Sequence, residues 1–284
     1  MTITIREIEA NGMKFRCREA GSGGEPVLLL HGFPETSHMW TELMPALADA
    51  GYRCLAPDQR GYSAGARPTG AEHYLTELLV SDALALADAA GFGKFHLVAH
   101  DWGAGVGWRL IREHPERVAS WTSMSIPHPA SFAAARRDDP EQQEKSAYIL
   151  FFQEPGVAEA SLSANDWAQL RGVWSQSSPE EVAEYMATFT QPGAMTAALN
   201  WYRAAFGAST GADVENEFDV TLPSLTIWGN QDQAVGRSTT LTHNRYMKGP
   251  NRFVEMDAGH WLVQEKFDDV CREVLAHLKQ FPAR

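Results

Sequence analysis

The stretch Ala99-His100-Asp101-Trp102-Gly103 constrains the fold more than any other part of the chain. It follows Phe95-His96-Leu97-Val98, a short apolar run bounded upstream by Gly91-Phe92-Gly93, and that pattern predicts a buried strand. Ala104 to Ile111 begins with small residues and reads as a helix. A strand that turns directly into a helix leaves little room beside the turn. Small residues are therefore needed two places either side of the apex, and Ala99 and Gly103 supply them. The apex residue, Asp101, is held exposed at the end of the sheet. An aspartate there has two readings: it caps the helix, or it attacks carbon and forms an ester. The stretch alone fits both, and partners elsewhere in the chain decide.

The same strand–helix rhythm runs through the first half of the chain. Residues 2–20 alternate as two antiparallel strands around an Asn11-Gly12 turn. Val27 to Leu30 is a buried strand, Trp40 to Ala50 a helix and Gly51 to Ala56 a turn and strand. Leu75 to Ala90 places Leu75, Leu78, Leu79, Ala83, Leu86 and Ala90 on one helical face, with Gly91 as the stop. A helix ending near His114-Pro115 leads to a strand over Val118 to Met124. This alternation predicts an α/β fold, a mostly parallel sheet with helices on both faces. Residues 130–217 break the rhythm with helical periodicity and many aromatics. They read as a helical cap inserted into a core of 1–129 and 218–284. Strand character returns at Leu222 to Trp228 and at Arg252 to Met256, with a helix expected between them. A final helix runs from about Val263 to Gln280.

Composition narrows the partners. Lys and Arg total 24 against 36 Asp and Glu, a formal charge of −12, which argues against nucleic acid and anionic membrane surfaces. Cys17, Cys54 and Cys271 are too few and too far apart for a disulfide framework or a zinc site. The N-terminus has no apolar signal core and no run is long enough to span a bilayer, so a cytoplasmic monomer or homodimer is expected.

Three further loops supply partners for Asp101. Val27 to Leu30 ends in His31-Gly32-Phe33-Pro34-Glu35, where the Phe33 amide would pair with that of Trp102 as an oxyanion hole. Asp232 is the only acid in the loop after the Leu222–Trp228 strand, and the alternative acid position after Met124 holds Ser125. His260 lies just past the last strand, beside Gly259. Nucleophile, acid and histidine in that chain order define the α/β-hydrolase arrangement. Asp101 would form an alkyl ester, His260 would deprotonate a water, and Asp232 would orient the imidazole. Asp58 and Arg60 read as structural, and His31 and His100 as local hydrogen-bonding residues. Trp102, Phe33, Trp261 and His128 are candidate substrate-lining residues. This chemistry calls for no cofactor and no metal.

These motifs resemble the α/β-hydrolase epoxide hydrolases, in particular the C-terminal domain of soluble epoxide hydrolase. The resemblance covers nearly the whole chain. Its most specific parts lie in the cap: Tyr148-Ile-Leu-Phe-Phe-Gln-Glu-Pro-Gly and Asn200-Trp201-Tyr202-Arg203. It implies that Tyr148 and Tyr202 hold the epoxide oxygen, that the Phe33-Pro34 bond is cis, and that a small hydrophobic epoxide and water are the reactants. The chain departs from the family at Arg60 to Arg67 and at Gln233 to Arg237, neither of which holds an expected catalytic residue. The competing readings are a haloalkane or haloacid dehalogenase and a catalytically silent ligand-binding protein. Phe33 stands where haloalkane dehalogenases usually carry a halide-binding Asn, and haloacetate-type enzymes lack the Trp after the nucleophile. An esterase would need Ser at position 101.

Overall fold

The computed structural model describes residues 2–207 and 217–283. Eight strands form one sheet in the order β1-β2-β4-β3-β5-β6-β7-β8. They are β1 (Thr4–Ala10), β2 (Met13–Ala20), β3 (Glu25–Leu30), β4 (Tyr52–Pro57), β5 (Phe95–His100), β6 (Val118–Met124), β7 (Ser224–Gly229) and β8 (Asn251–Met256). The first two strands form the expected hairpin, and β2 also pairs antiparallel with β4. All later pairings are parallel. Helices α1 (Leu43–Asp49), α2 (Thr76–Ala89) and α3 (Trp102–Glu113) make the crossovers, and α10 (Leu262–Glu265) and α11 (Phe267–Gln280) close the chain.

Alternation along the strands divides the core in two. Leu28, Leu30, Leu97 and Ala99 point to one face, with Val106, Leu110 and Trp121. Val27, Leu29 and Val98 point to the other, with Leu47, Leu225, Val270 and Val274. Every residue of β5 and β7 is buried, as expected of parallel strands covered on both sides. Fully burying one such Leu or Val contributes about 1.5–3 kcal/mol.

Between β6 and β7 the chain is helical: α4 (Pro129–Asp138), α5 (Pro140–Lys145), α6 (Ala147–Phe152), α7 (Val157–Val173), α8 (Pro179–Phe189) and α9 (Ala194–Phe206). Residues 208–216 of the expected cap lie outside the described residues. Helix α7 is interrupted at Ala164–Trp167, where Asn165, Asp166 and Trp167 take positive φ. No helix among the described residues is long and apolar enough to cross a membrane.

Two helix expectations need correction. No α-helix lies between β7 and β8; two 3-10 turns, Arg237–Thr240 and His243–Arg245, stand there instead. Thr239 and Thr240 donate their hydroxyls to the carbonyls of Gly236 and Arg237, and such local bonds compete with a helical ladder. The final helix is also divided, because Lys266 leaves helical geometry at φ −140° and ψ 45°.

Candidate active site

The turn from β5 into α3 is as tight as its sequence requires. Asp101 sits at φ 49° and ψ −121°, a backbone state worth about 1–3 kcal/mol of strain that only a firmly packed surround maintains. A Cβ at Gly103 would lie 2.3 Å from the Leu30 carbonyl oxygen, so the first turn of α3 packs directly on the end of β3. A Cβ at Gly32 would lie 2.4 Å from both Cβ and Oδ1 of Asp101. The two loops therefore fit together only with glycine at both places.

The side chain of Asp101 does not cap α3. Its Oδ1 accepts the Phe33 N–H at 2.8 Å, and Oδ2 lies 3.5 Å from His260 Nε2. The Phe33-Pro34 bond is cis, as the resemblance implies. His260 Nδ1 donates to Asp232 Oδ2 at 2.7 Å. The other Asp232 oxygen accepts the N–H groups of Ala234 at 2.7 Å and Val235 at 2.9 Å. Both carboxylate oxygens of Asp232 are therefore occupied, and the ring it faces, when neutral, is the Nδ1–H tautomer.

Charge follows from this geometry. Burial lowers the basicity of His260, but the Asp232 charge and the hydrogen bond to Asp101 outweigh it and raise its pKa well above 6.5. Burial works against ionisation of Asp101, but the hydrogen bond and charge of His260 hold its carboxyl below the usual range. The resting pair is thus carboxylate and imidazolium. Asp101 keeps 12% and His260 9% of their side-chain surface exposed, so a reactant can reach both.

Aromatic rings from the cap cover the pair. Tyr202 stands edge-on to Trp102 at 4.9 Å and to Phe33 at 5.6 Å, and Tyr148 stands 6.1 Å from Tyr202. Burial is the main reason both phenols are raised above their usual pKa, so both stay protonated, and both also feel the Asp101 charge. Trp261 lies 4.8 Å from the His260 ring. His128 is not brought to this group. Its ring stacks on Tyr246 at 4.3 Å and packs against Phe218 and Trp108, and it caps Ala130 of α4. It fills an aromatic box at the root of the cap, and the expectation that it lines the site is withdrawn.

Other side chains brace the triad. His100 Nε2 and Ser125 Oγ both donate to the His260 carbonyl at 2.9 Å. Ser125, at φ 68°, holds the place where an alternative acid could have stood. Lys145 of α5 donates to the Asp232 carbonyl at 2.9 Å, and Gln142 clamps Ala234 and Gly236. The segment after Asp232, which departs from the family pattern, thus holds the acid through its backbone and is itself held by the cap. Asp58 and Arg60 take structural roles: Asp58 pairs with Arg16 and Arg18, and Arg60 forms a buried two-point ion pair with Asp82.

Sheet order, elbow and insertion define an α/β hydrolase, and the match of residues 25–267 to the alpha/beta hydrolase fold family shows that the chain belongs to it. It is 36% identical to Epoxide hydrolase A of Mycobacterium tuberculosis, over 97% of each chain. It is 35% identical to the AB hydrolase superfamily protein YfhM of Bacillus subtilis, over 96% of each. The crystal structure of Epoxide Hydrolase A from Mycobacterium thermoresistibile superposes over all of both chains with a TM-score of 0.87 at 31% identity.

Proposed function

We propose that this chain is an epoxide hydrolase that converts small hydrophobic epoxides to vicinal diols through an ester on Asp101. The observation that carries the reading is the pairing of a strained, ionised Asp101 with two protonated phenols in the cap above it. Opening an epoxide releases an alkoxide, which is far more basic than a halide and needs a proton or strong hydrogen bonds as it forms. Tyr148 and Tyr202 donate them. Such a positioned acid is worth roughly 10²–10⁴-fold in rate.

In the first step Asp101 Oδ2 attacks an epoxide carbon, the carbon–oxygen bond breaks, and the departing oxygen takes a proton from the tyrosine pair. The ester no longer carries the Asp101 charge. One of the groups that raised the His260 pKa is thereby removed, and the imidazolium can give up its proton, which returns through solvent to the tyrosine pair. In the second step neutral His260 takes a proton from water and the hydroxide adds to Cγ of Asp101. The oxyanion forms on Oδ1, which the Phe33 amide already holds, with the Trp102 amide as its second donor. On collapse His260 passes its proton to Oδ2, which leaves with the diol. The carboxylic acid left on Asp101, which keeps the water oxygen, returns a proton to His260 and restores the carboxylate and imidazolium. Trp102, Phe33 and Trp261 wall the substrate.

We further read residues 130–217 as the cap on a core of 1–129 and 218–284. A cytoplasmic monomer or homodimer completes the proposal, supported by three cysteines that form no disulfide. One turnover in heavy-oxygen water tests the chemistry. The first diol should carry unlabelled oxygen and the label should enter Asp101; label in the first diol would mean direct attack by water. A panel of epoxides scored for diol, run beside an alkyl chloride scored for halide, separates this activity from dehalogenation.

A further inference from the structure

Each cap motif has a charged neighbour that the steps above do not use. Arg203 closes the second motif on α9, and Glu159 follows the first in the opening turn of α7. The fold brings them together. Arg203 Nη1 donates to Glu159 Oε1 at 2.9 Å and Nη2 to Oε2 at 3.0 Å. The two side chains keep 10% and 19% of their surface exposed. Nη1 also donates to Asn200 Oδ1 at 3.2 Å, and Nη2 lies 3.5 Å from the Glu154 carbonyl oxygen. Nε is buried with no hydrogen-bond partner among the described residues, and such a donor costs stability. A pair of this kind adds little net stability and is best suited to fixing register, because a planar two-point bond admits one orientation.

The two ends of the pair lead to the two phenols. On α9, Tyr202 stands between Arg203 and Trp201, whose Nε1 donates to the Arg60 carbonyl at 2.9 Å. One neighbour ties the helix to the core and the other ties it to the α6–α7 segment. Glu159 Oε2 also accepts the Gly156 N–H at 2.8 Å, and the Glu154 carbonyl accepts the Ala158 N–H at 3.2 Å. These bonds close the short turn between α6 and α7, so what holds Glu159 holds the end of α6. Phe152 sits at that end. Its ring stands 4.9 Å from that of Tyr202 and 5.4 Å from that of Tyr148, one helical turn back. The rings of α6 and α9 meet edge-on, and apolar burial of this sort has no direction of its own. The ion pair supplies one.

We propose that Arg203 and Glu159 are positioning residues whose two-point pair sets the spacing of Tyr148 and Tyr202, so that both hydroxyls donate to one departing oxygen. The proposal rests on those tyrosines being the donors. Two donors on one oxygen must converge, and a misplacement of about 1 Å can cost on the order of 10²-fold. The pair acts only through the phenols. Its loss should therefore slow ester formation and leave ester breakdown, the work of His260 and Asp232, unchanged.

Rapid quench with intact-protein mass spectrometry reads the two steps separately in a single turnover. Arg203→Met keeps the apolar stem and removes the fork. It should slow ester formation about tenfold or more and leave breakdown within about twofold. Arg203→Lys keeps the charge but cannot meet both oxygens in one plane, and should recover only part of the loss. The deciding measurement repeats Arg203→Met in the protein that carries Tyr148→Phe and Tyr202→Phe. With no phenol left to place, the change should cost nothing further, within about twofold.

An equal loss in both backgrounds would mean that the pair merely holds the cap together, and would overturn the proposal. So would wild-type ester formation in Arg203→Met. A fully active Arg203→Lys would show that charge suffices and overturn the two-point assignment. Thermal melts check folding, and should Arg203→Met fail to fold, Arg203→Lys carries the same comparison in both backgrounds. A wild-type rate in the double Phe protein faults the tyrosines as donors and takes the proposal with it. A slowed double Phe protein in which the Arg203 change still costs as much faults the positioning role alone.

Discussion

Strands β5 and β7, which end just before Asp101 and Asp232, are buried at every residue, and backbone ladders and apolar packing hold most of their length. The cap that carries Tyr148 and Tyr202 is held in part differently. Leu150 and Val157 stand 68% and 57% exposed, α7 is broken, and polar contacts join the cap to the core beside its apolar packing. Glu184 reaches Arg16 and Arg18 at 2.6 Å, Trp174 Nε1 donates to the Pro34 carbonyl, and Trp201 Nε1 to that of Arg60. A strained nucleophile needs the first kind of surround, because a single dihedral relaxation would move its carboxylate off line. Proton donors that must admit and release a reactant need the second, since elements held by a few polar contacts open locally at lower free energy.

The largest expected effect lies at the junction with the sheet. His260→Gln should form the ester and fail to release it, with turnover down roughly 10⁴-fold. Mass spectrometry of the intact protein would show the added substrate mass. A variant that turns over normally would remove His260 from the mechanism.

On the cap side the loss is smaller and falls on the first step. Tyr148→Phe with Tyr202→Phe should slow ester formation by about 10²-fold or more, and each single change should leave partial activity. Folding is checked by thermal melt. A double variant that alkylates at the wild-type rate makes the tyrosines packing residues and reopens the dehalogenase reading.

Stability should divide the same way. Leu97→Ala, in the fully buried β5, is expected to cost about 2–5 kcal/mol in denaturant melts. Leu150→Ala, on the open side of α6, should stay within about 0.5 kcal/mol. Similar costs at both sites would erase the contrast. The smallest effect is expected at the cap attachment. Glu184→Gln weakens the link to Arg16 and Arg18, and should raise KM a few-fold with ester hydrolysis unchanged. A changed hydrolysis rate would mean that the cap positions His260 as well as covering it.

How much of this could be read in advance depended on the range of the forces involved. The elbow, the Asn11-Gly12 hairpin and the α2 face are legible because turn sterics and helical period act over a few residues. Asp232 was legible because one loop held one acid. The helix expected after Gln233 failed because threonine hydroxyls took the carbonyls it needed. His128 failed because its aromatic partners, Tyr246 and Phe218, lie about a hundred residues away.

The sequence by itself therefore determined the reactive groups and the local turns that present them: an aspartate at a strand–helix apex, a histidine and an acid past later strands, and glycines where backbones meet. Tertiary structure alone decided the distances and charges. The Phe33 amide meets Asp101 across 68 residues, Asp232 meets His260 across 28, and His100 meets the His260 carbonyl across 160. Whether each group is ionised depends on burial and on charges brought in from those distant segments. Chain neighbours set conformation, whereas desolvation and Coulomb interactions act through space.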